Sequence, residues 1–355
     1  MHCAHVVGAR PNFMKAAPVM RALAAKPGLR QALIHTGQHY DQNMSDVFFR
    51  ELDIPEPDFN LAVGSGTHAS QTGQIMMRLE PVVEKARPDL VLVYGDVNST
   101  IAAALVCSKL RIPVAHVEAG LRSFDRTMPE EINRVLTDQI ADLLLTPSQD
   151  GDANLLREGI PPERIRFVGN VMIDTLVRLL PKAAAALPAS LPPRYALVTL
   201  HRPSNVDDPE MLRGILGTLD QISRELPVVF PIHPRTRQRI AQLGLQPGQN
   251  LDFWEPQSYL QFLALQQRAT VVITDSGGIQ EETTFLGVPC LTLRPSTERP
   301  ITVTLGTNIL VGGDLERLQA EVCALLSGQR KQGAIPPLWD GRAAERIATV
   351  ISALE

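Results

Sequence analysis

Short apolar runs of strand length alternate with longer, helix-period stretches along the whole chain. A parallel sheet gives this alternation, because each strand is joined to the next by a helix that covers one face of the sheet. The first half of the chain is therefore predicted to be a doubly wound α/β domain. The pattern predicts strands at 5–8, 31–36, 90–94, 113–117, 143–146 and 166–168 and helices at 12–25, 68–86, 99–110 and 129–141.

The same alternation restarts after residue 194. It predicts strands at 195–200, 228–232, 251–254, 270–274, 289–293 and 308–311 and helices at 209–225, 235–243, 257–267, 277–286 and 315–326. The segment 182–194, which is rich in alanine and proline, is predicted to be an exposed linker. Because 355 residues exceed what one hydrophobic core normally covers, two doubly wound domains are the economical interpretation.

The charge balance excludes several classes of partner. Lys and Arg total 34 against 38 for Asp and Glu, a formal net charge of −4, so no basic excess indicates nucleic acid. No apolar stretch reaches the length that spans a bilayer, and the N-terminus lacks the basic-then-apolar layout of a signal peptide. The four cysteines form no C-x-x-C pair, and three lie in apolar runs, which is typical of a reducing compartment. We expect a cytoplasmic protein without nucleic-acid or membrane partners.

The turn at 274–282 follows an apolar strand and reads Thr-Asp-Ser-Gly-Gly-Ile-Gln-Glu-Glu. In open α/β sheets ligands bind beyond the carboxyl ends of the strands, so turns of this kind are where chemistry is expected. Ser276 is placed to cap the next helix, while Gly277 and Gly278 leave backbone amides open to a phosphate. Glu282 is placed to accept hydrogen bonds from hydroxyls such as a ribose diol. The alternative is a plain capped helix.

Two cations follow the first predicted strand. Arg10 stands at its carboxyl end, and Lys15 lies about one helical turn further on, in a helix that begins near Pro11. The lone Gly8 does not make a dinucleotide fingerprint, which needs G-x-G-x-x-G. Two cations at one strand end would suit a diphosphate. Ordinary solvated side chains are the alternative.

Three acidic residues follow neighbouring strands. Asp96 ends the strand at 90–94, Glu118 ends the strand at 113–117, and Glu130 opens the helix that comes next. Clustered carboxylates push one another's pKa values apart, which general acid/base chemistry requires. The alternative is a structural network in which these acids pair with nearby arginines, namely Arg122, Arg126 and Arg134.

A His-Arg pair, His201 and Arg202, follows the first strand of the second half. It suits an anionic ligand, because histidine exchanges a proton near neutral pH. His233, after the next strand, is more typical of a histidine satisfied by its surroundings. No His, Cys or Asp spacing matches a metal site, so no metal is expected.

Taken together and in this order, these motifs resemble those of the non-hydrolysing UDP-N-acetylglucosamine 2-epimerases. The resemblance covers nearly the whole chain, and the combination is much more specific than any single motif. The markers are Gly8-Ala9-Arg10-Pro11, Thr36-Gly37-Gln38-His39, Gly95-Asp96, Glu118-Ala119-Gly120-Leu121-Arg122, Pro129-Glu130-Glu131-Ile132-Asn133-Arg134, His201-Arg202, the run 275–282 and Thr297-Glu298-Arg299-Pro300.

The resemblance implies a GT-B architecture, in which two Rossmann-like, doubly wound parallel-sheet domains face a central cleft. A C-terminal helix, here 341–354, would return to the first domain. The expected domains are therefore 1–170 with 338–355, which would carry the catalytic carboxylates, and 171–337, which would bind UDP. The family resemblance also favours a homodimer.

The implied reaction is epimerisation at carbon 2 of UDP-N-acetylglucosamine to UDP-N-acetylmannosamine, by elimination of UDP to 2-acetamidoglucal and re-addition. The resemblance also implies that no metal and no other cofactor is needed. Roles carried over by motif make Asp96, Glu118 and Glu130 the acid/base carboxylates, with His201 assisting the leaving diphosphate. The substrate-binding residues would be Arg10, Lys15, Ser276, Gly277, Gly278 and Arg299 at the phosphates, Glu282 at the ribose, and Gln257 and Phe262 at the uracil.

Two departures from the common bacterial pattern bear on regulation and substrate. Many members bind a second UDP-N-acetylglucosamine near a Gln-His-x-Gln segment, but this chain has Asp41 at the last position. The residues that would form such an allosteric or second-sugar site are Gln38, His39, Gln71 and His233. The loop 123–128 is short and is similar to that of relatives acting on UDP-2,3-diacetamido-2,3-dideoxy-glucuronic acid.

That sugar is therefore the alternative substrate for the same reaction, and Arg126 would be available to its carboxylate. A third hypothesis is a GT-B glycosyltransferase. It is disfavoured because such an enzyme needs an acceptor site and one base, whereas this chain has three clustered carboxylates and a histidine. A nucleotide-sugar binder without activity is a fourth, but burying the acids without chemistry is costly. The expected role is in polysaccharide biosynthesis.

Overall fold

A computed structural model describes residues 1–38, 52–188, 191–246 and 248–354. His39 and Asp41, to which the resemblance gives a regulatory meaning, lie outside the described residues. The chain divides into two compact units: unit 1 is Met1–Thr175 with Pro337–Glu355, and unit 2 is Leu176–Pro336. No described helix is both long enough and apolar enough to cross a membrane.

Unit 1 is built around one parallel sheet of seven strands. The strands are β1 His2–Val7, β2 Arg30–His35, β3 Phe59–Asn60, β4 Leu90–Tyr94, β5 Val114–Val117, β6 Leu143–Thr146 and β7 Ile165–Phe167. The helices are α1 Arg10–Ala24, α2 His68–Ala86, α3 Asn98–Lys109, α4 Pro129–Ile140, α5 Gln149–Arg157 and α6 Val171–Ala183, which continues into unit 2. The strand order is β3-β2-β1-β4-β5-β6-β7.

The central strands of unit 1 are apolar on both faces because helices cover both. Every residue of β4 and of β5 is buried. Small residues on α3, such as Ala102, Ala103 and Ala104, let this helix pack closely on the sheet. The carboxyl ends of β1, β4 and β5 therefore lie side by side, at one edge of a rigid layer.

Unit 2 repeats this plan with six parallel strands. The strands are β8 Ala196–Thr199, β9 Val228–Pro231, β10 Leu251–Trp254, β11 Val271–Thr274, β12 Cys290–Thr292 and β13 Asn308–Leu310. The helices are α7 Pro203–Val206, α8 Pro209–Ser223, α9 Pro234–Gln242, α10 Tyr259–Arg268, α11 Gly277–Leu286, α12 Pro300–Thr304 and α13 Leu315–Leu326. The strand order is β10-β9-β8-β11-β12-β13, which places β8 beside β11.

The last helix of the chain, α14 Ala343–Ser352, packs on α1 in unit 1. Asp174 on α6 caps it, because its carboxylate accepts hydrogen bonds from the amides of Ala343 at 3.1 Å and Ala344 at 2.7 Å. Burial raises the pKa of Asp174 to about 6, although the two amides and Arg346 act in the opposite direction.

The predicted fold class, two Rossmann-like parallel-sheet domains, is confirmed. The segment 182–194, predicted to be an exposed linker, is mostly exposed or half-buried in its described part. It does not join the two units, however, because they divide inside α6 and the described part of this segment belongs to unit 2. Ala183 is fully buried, and a 3-10 turn at Ala184–Ala186 packs on α10. The sequence pattern also missed β3, α5, α7 and α12, since short elements show too few periods to be recognised. It missed α6 too, although that helix has 13 residues.

Candidate functional site

Asn12 fixes the turn between β1 and α1, where Arg10 lies. Its side-chain oxygen accepts hydrogen bonds from the amides of Gly8 at 3.1 Å and Ala9 at 3.0 Å. Its side-chain nitrogen donates to the carbonyl of Tyr94, at the end of β4, at 2.7 Å. One buried amide thus ties the turn that carries Arg10 to the turn that carries the acid after β4. The Arg10 side chain itself is exposed.

Lys15 lies one turn further along α1 and contacts Glu118. The ammonium is 2.5 Å from a carboxylate oxygen, and both side chains are buried. Gly95 allows the approach, because a Cβ there would stand 2.7 Å from the Lys15 nitrogen. Glu118 adopts φ +73, a left-handed conformation that is rare for a side chain of this size and is typical of functional turns. The described contact of Lys15 is therefore with a carboxylate of its own unit.

Asp96 is held from two sides by α4. The guanidinium of Arg134 is 2.7 Å from the Asp96 carboxylate, and the side-chain amide of Asn133 donates to the Asp96 carbonyl at 2.9 Å. The Asp96 side chain keeps about a quarter of its surface exposed, 26%. It is therefore both positioned and accessible. The arginine–carboxylate network that the sequence left open does exist here, and it leaves this acid available for chemistry.

The two neighbouring glutamates of α4 differ completely in environment. Glu131 is buried and accepts hydrogen bonds from the amide and hydroxyl of Ser123, at 3.0 and 2.9 Å, and from the amide of Phe124, at 2.9 Å. The guanidinium of Arg134 also contacts the Glu131 carboxylate, at 2.7 Å. Glu130 is only partly buried and lines an open pocket instead. Glu131 shapes the loop, and Glu130 faces outward to where a ligand can reach it.

We call this cavity of about 280 Å³ the polar pocket. It is lined by Gln38, Ser65, Gly66, His68, Gln71, Val97, Asn98, Pro129, Glu130 and Asn133. It brings together three of the residues predicted from the sequence, Glu130, Gln38 and Gln71. The Gln38 side-chain oxygen is already engaged, because it accepts from the amide and hydroxyl of Ser99 at 3.0 and 2.7 Å.

A buried network lies behind the ends of β4 and β5. The two ring nitrogens of His116 face Asp138 at 2.6 Å and the carbonyl of Gly95 at 2.8 Å. Asp138 also accepts from Arg122 at 2.7 Å and from the amide of Gly120 at 3.1 Å. Burial would raise the pKa of Asp138, but the charge and hydrogen bond of His116, with Arg122, hold it below the ordinary value. This network fixes the backbone on both sides of Glu118.

In unit 2, His201 is oriented by Asp275, a residue to which the sequence reasoning gave no role. The His201 Nδ1 atom is 2.8 Å from the Asp275 carboxylate, which also accepts from the amide of Arg202 and the side chain of Asn205, both at 2.9 Å. Burial would raise the pKa of Asp275, but His201, Asn205 and Arg202 together lower it. The His201 ring stays exposed, with Nε2 turned away from this pair. The signal was present, since Asp275 directly precedes Ser276 in the motif.

The helix α11 begins after Ser276, at Gly277. The expectation that Ser276 caps this helix through its side chain is wrong, because the hydroxyl accepts no capping bond from the described helix. A Cβ on Gly277 would lie 2.5 Å from both the Arg299 guanidinium and the Glu298 carboxylate, so only glycine fits. Gly278 has no neighbour within 4 Å of the Cβ position. Uncapped amides, an adjacent guanidinium and open space are what an anion needs.

Arg299 is itself fixed from two sides. Its Nε lies 2.8 Å from Glu281 on α11, and its Nη1 contacts Glu298. Glu298 in turn pairs with Arg294 at 2.7 Å. The guanidinium is 10% exposed and therefore stands beside the start of α11 as a rigid, largely buried cation.

The other predicted contacts of unit 2 fall on α9, α10 and α11. Glu282 is buried and accepts a hydrogen bond from the Tyr259 hydroxyl at 2.8 Å. Gln257 is half-buried just before α10, and Phe262 lies on α10 and packs partly on the apolar cluster beneath it. The His233 ring accepts from the amide of Arg235 at 3.3 Å and so caps α9. His233 belongs to unit 2, whereas Gln38 and Gln71 line the polar pocket of unit 1.

The family model described as UDP-N-acetylglucosamine 2-epimerase matches residues 21–352. The UDP-N-acetylglucosamine 2-epimerase of Methanocaldococcus jannaschii is 44% identical over 98% of each chain. The UDP-2,3-diacetamido-2,3-dideoxy-D-glucuronate 2-epimerase of Pseudomonas aeruginosa is 43% identical, over 98% of this chain and 99% of its own. A crystal structure of the M. jannaschii enzyme in complex with UDP-GlcNAc and UDP superimposes with a TM-score of 0.91, covering 99% of this chain and all of that one. The chain belongs to the UDP-N-acetylglucosamine 2-epimerase family.

Proposed function

We propose that this protein catalyses the 2-epimerisation of UDP-N-acetylglucosamine to UDP-N-acetylmannosamine. The observation that carries the proposal is the set of three carboxylates at one edge of the unit 1 sheet, each in a different environment. Glu118 is paired with Lys15, Asp96 with Arg134, and Glu130 faces the polar pocket. Different surroundings allow one carboxyl group to accept a proton while another donates one.

The reaction needs two such groups. In the first step the C2–H bond breaks and its electron pair forms the C1=C2 double bond, while the C1–O bond breaks and its pair leaves with UDP. A carboxylate takes the proton, and 2-acetamidoglucal remains. Returning a proton to the opposite face of carbon 2 and re-adding UDP at carbon 1 gives the epimer. Asp96, Glu118 and Glu130 supply the base and the acid in this proposal.

The leaving group would be handled by unit 2. The free amides at Gly277 and Gly278 and the guanidinium of Arg299 would stabilise the charge that grows on the diphosphate. His201, held through Nδ1 by Asp275, would present Nε2 to the same group. Arg10 would add a cation, Glu282 would bind the ribose, and the uracil would lie by Gln257 and Phe262. Lys15 keeps its proposed phosphate role only if it exchanges its contact with Glu118 for the ligand.

Two observations favour the neutral sugar over UDP-2,3-diacetamido-2,3-dideoxy-glucuronic acid. The described lining of the polar pocket contains no arginine or lysine that would neutralise a sugar carboxylate. Arg126, the candidate partner for that carboxylate, lines a separate pocket of about 540 Å³ with Phe124, Ile132 and Leu136. The glucuronate sugar remains the second candidate because of the P. aeruginosa relative.

Three further proposals concern regulation, oligomeric state and cellular role. Regulation by a second sugar nucleotide would use Gln38, His39, Gln71 and His233, and it is tested by the cooperativity of initial rates. The exposed apolar side chains Met77, Ile132 and Leu136 on helices of unit 1 are compatible with a homodimer, which light scattering measures directly. A cytoplasmic role in polysaccharide biosynthesis would follow from the UDP-sugar product.

The test is an isotope experiment with both sugars. Purified protein is incubated in deuterated water with each UDP-sugar in parallel, and the sugars are analysed by mass spectrometry and NMR. We expect deuterium at carbon 2 and formation of the manno epimer from UDP-N-acetylglucosamine. Asp96→Asn and Glu118→Gln should each lower the rate by orders of magnitude while UDP still binds. If neither sugar acquires deuterium, the protein is not a 2-epimerase of these substrates.

A further inference from the structure

His68 lies in the polar pocket, although no sequence motif gave it a role. It is the first residue of α2, which begins after Thr67. The Thr67 hydroxyl caps the helix by accepting from the amide of Ser70 at 3.3 Å, which fixes the backbone at His68. The imidazole is exposed, and it lines the same cavity as Glu130. A rigid helix start therefore presents a histidine beside a proposed catalytic acid.

A chain of amides determines how the neighbours of His68 are oriented. The side-chain nitrogen of Gln71 donates to two backbone carbonyls, those of Gly64 at 2.9 Å and Gln38 at 3.2 Å. The Gln71 oxygen is consequently turned toward Asn98, whose side-chain nitrogen donates to it at 2.9 Å. The backbone carbonyls thus fix the orientation of the Gln71 amide, and the Gln71 amide fixes the orientation of the Asn98 amide.

Asn98 in turn fixes the histidine. Its side-chain nitrogen lies 3.2 Å from His68 Nδ1, closer than its oxygen at 3.4 Å. That oxygen also accepts from Asn133 at 3.3 Å, and Asn133 donates in addition to the Asp96 carbonyl at 2.9 Å. We assign the second hydrogen of the Asn98 amide to His68 Nδ1, which places the ring hydrogen on Nε2. His68 is then a hydrogen-bond donor tied through two amides to Asp96.

The chemistry of the pocket indicates what this donor meets. Besides His68, its described lining consists of four side-chain amides, one hydroxyl, a glycine and the apolar side chains of Val97 and Pro129, and Glu130 is the one carboxylate among the described lining residues. An uncharged ring with hydroxyl and acetamido groups matches such a lining, and a volume of about 280 Å³ is of the right order for one hexosamine. On a sugar of this kind the acceptors are oxygens, and the acetamido carbonyl is the strongest of them.

We propose that His68 is a specificity-determining residue that donates its Nε2 hydrogen to an oxygen of the substrate's N-acetylated sugar. The inference rests on the proposed function, since it takes the polar pocket as the place where the substrate's sugar ring lies. It therefore competes with the use of Gln38 and Gln71 for a second sugar nucleotide. If His68→Ala loses the cooperativity of the initial rates but keeps the wild-type kcat/KM, the pocket belongs to that second ligand and the inference is overturned. The inference assigns His68 to the sugar and not to the nucleotide. UDP alone therefore does not use this contact, whereas UDP-N-acetylglucosamine does.

The experiment compares His68→Ala with the wild-type enzyme on two ligands. Initial rates with UDP-N-acetylglucosamine give kcat/KM, and inhibition of this reaction by added UDP gives the inhibition constant of UDP. Loss of one hydrogen bond should lower kcat/KM about tenfold. The UDP constant should stay within about twofold. His68→Gln, which keeps a side-chain N–H donor, should recover part of the loss.

Gln74→Ala is the matched control, because Gln74 lies on the same helix and bonds only to Ser70 and Arg78 of that helix among the described residues. It should leave both constants unchanged. The inference is overturned if His68→Ala keeps kcat/KM within twofold of wild type, or if the UDP constant weakens by the same factor as kcat/KM.

A failure of the proposed function would show separately, as a wild-type enzyme that incorporates no deuterium. Calorimetric dissociation constants for UDP-N-acetylglucosamine and for UDP would then test His68 without turnover. The inference requires that the sugar contributes to wild-type affinity and contributes less in His68→Ala. Equal differences between the two ligands in both proteins would refute it.

Discussion

The variant Gly278→Ala tests whether the glycine at this position is required for ligand binding or for packing within the protein. Among the described residues, nothing lies within 4 Å of the Cβ that alanine would add, and Gly278 does not have a left-handed φ. Alanine in a helix is favoured over glycine by up to about 1 kcal/mol, and less in the first turn. The variant should therefore be as stable as the wild type or slightly more stable.

UDP binding should respond in the opposite way. If the diphosphate lies on the amides of Gly277 and Gly278, the new methyl group occupies its space and at least one charge-assisted hydrogen bond is lost. Such a bond contributes about 1.5–3 kcal/mol, so the dissociation constant of UDP should rise about 10- to 150-fold. Calorimetry measures the constant, and a thermal melt measures stability on the same sample.

Two other glycines of unit 2 provide the controls. Gly217 on α8 also has open space at its Cβ position, so Gly217→Ala should preserve both stability and UDP affinity. Gly277→Ala should lower stability by about 1–3 kcal/mol, because the methyl group would displace the ion-paired side chains of Arg299 and Glu298. If Gly278→Ala binds UDP within twofold of wild type, the diphosphate does not lie on these amides.

Three further changes test single contacts. Asp275→Asn should lower kcat at least tenfold, because the orienting partner of His201 is weakened, and it should also lower the melting temperature, because the buried carboxylate accepts hydrogen bonds from the amide of Arg202 and the side chain of Asn205. A folded variant with the wild-type kcat in steady-state assays would exclude the dyad. Glu130→Gln should abolish turnover at wild-type stability, whereas Glu131→Gln should cost about 3 kcal/mol in urea unfolding, since Glu131 is a buried acceptor of four bonds; the opposite pattern would contradict this assignment of roles. Asp174 binds its proton more tightly in the folded state, so its contribution to stability is greatest below about pH 4 and falls by about 3 kcal/mol as the pH rises to 6. Unfolding free energies of Asp174→Asn should lack this slope, and an unchanged slope would show that another group produces it.

The fold could be predicted because parallel strands buried on both faces leave an unmistakable pattern. Runs such as Leu90–Tyr94 are apolar throughout, and the helices between them show several periods. The pattern fails where an element is short, as in β3, or where a boundary depends on tertiary contacts. The alanine- and proline-rich segment after α6 has the composition of a linker, yet burial of Ala183 and packing on α10 make part of it a piece of unit 2.

The sequence predicted which residue types form the candidate site better than it predicted the contacts between their side chains. Strand-end motifs indicated Asp96, Glu118 and His201, because polar residues after buried strands are poorly explained by packing. Sequence could not show that Lys15 reaches Glu118, since that contact depends on the space left by Gly95. The sequence placed Asp275 at a strand end, but it could not show that His201 and Arg202, which follow a different strand, are its partners.

The arrangement on α4 explains why so much of unit 1 depends on one helix. Glu130, Asn133, Arg134 and Asp138 recur at intervals of three and four, so they project from neighbouring turns toward the sheet edge. One helix thereby presents Glu130 to the polar pocket, holds both ends of Asp96, and anchors His116 behind β5 through Asp138. A shift of this helix would move all three carboxylates relative to one another. Glu130 lies on this helix, and the helix also holds Asp96 directly and the turn of Glu118 through Asp138. Such shared support suits the proposed reaction, with one proton transfer from carbon 2 and one to it, because the geometry must serve both faces of the sugar without rebuilding the site.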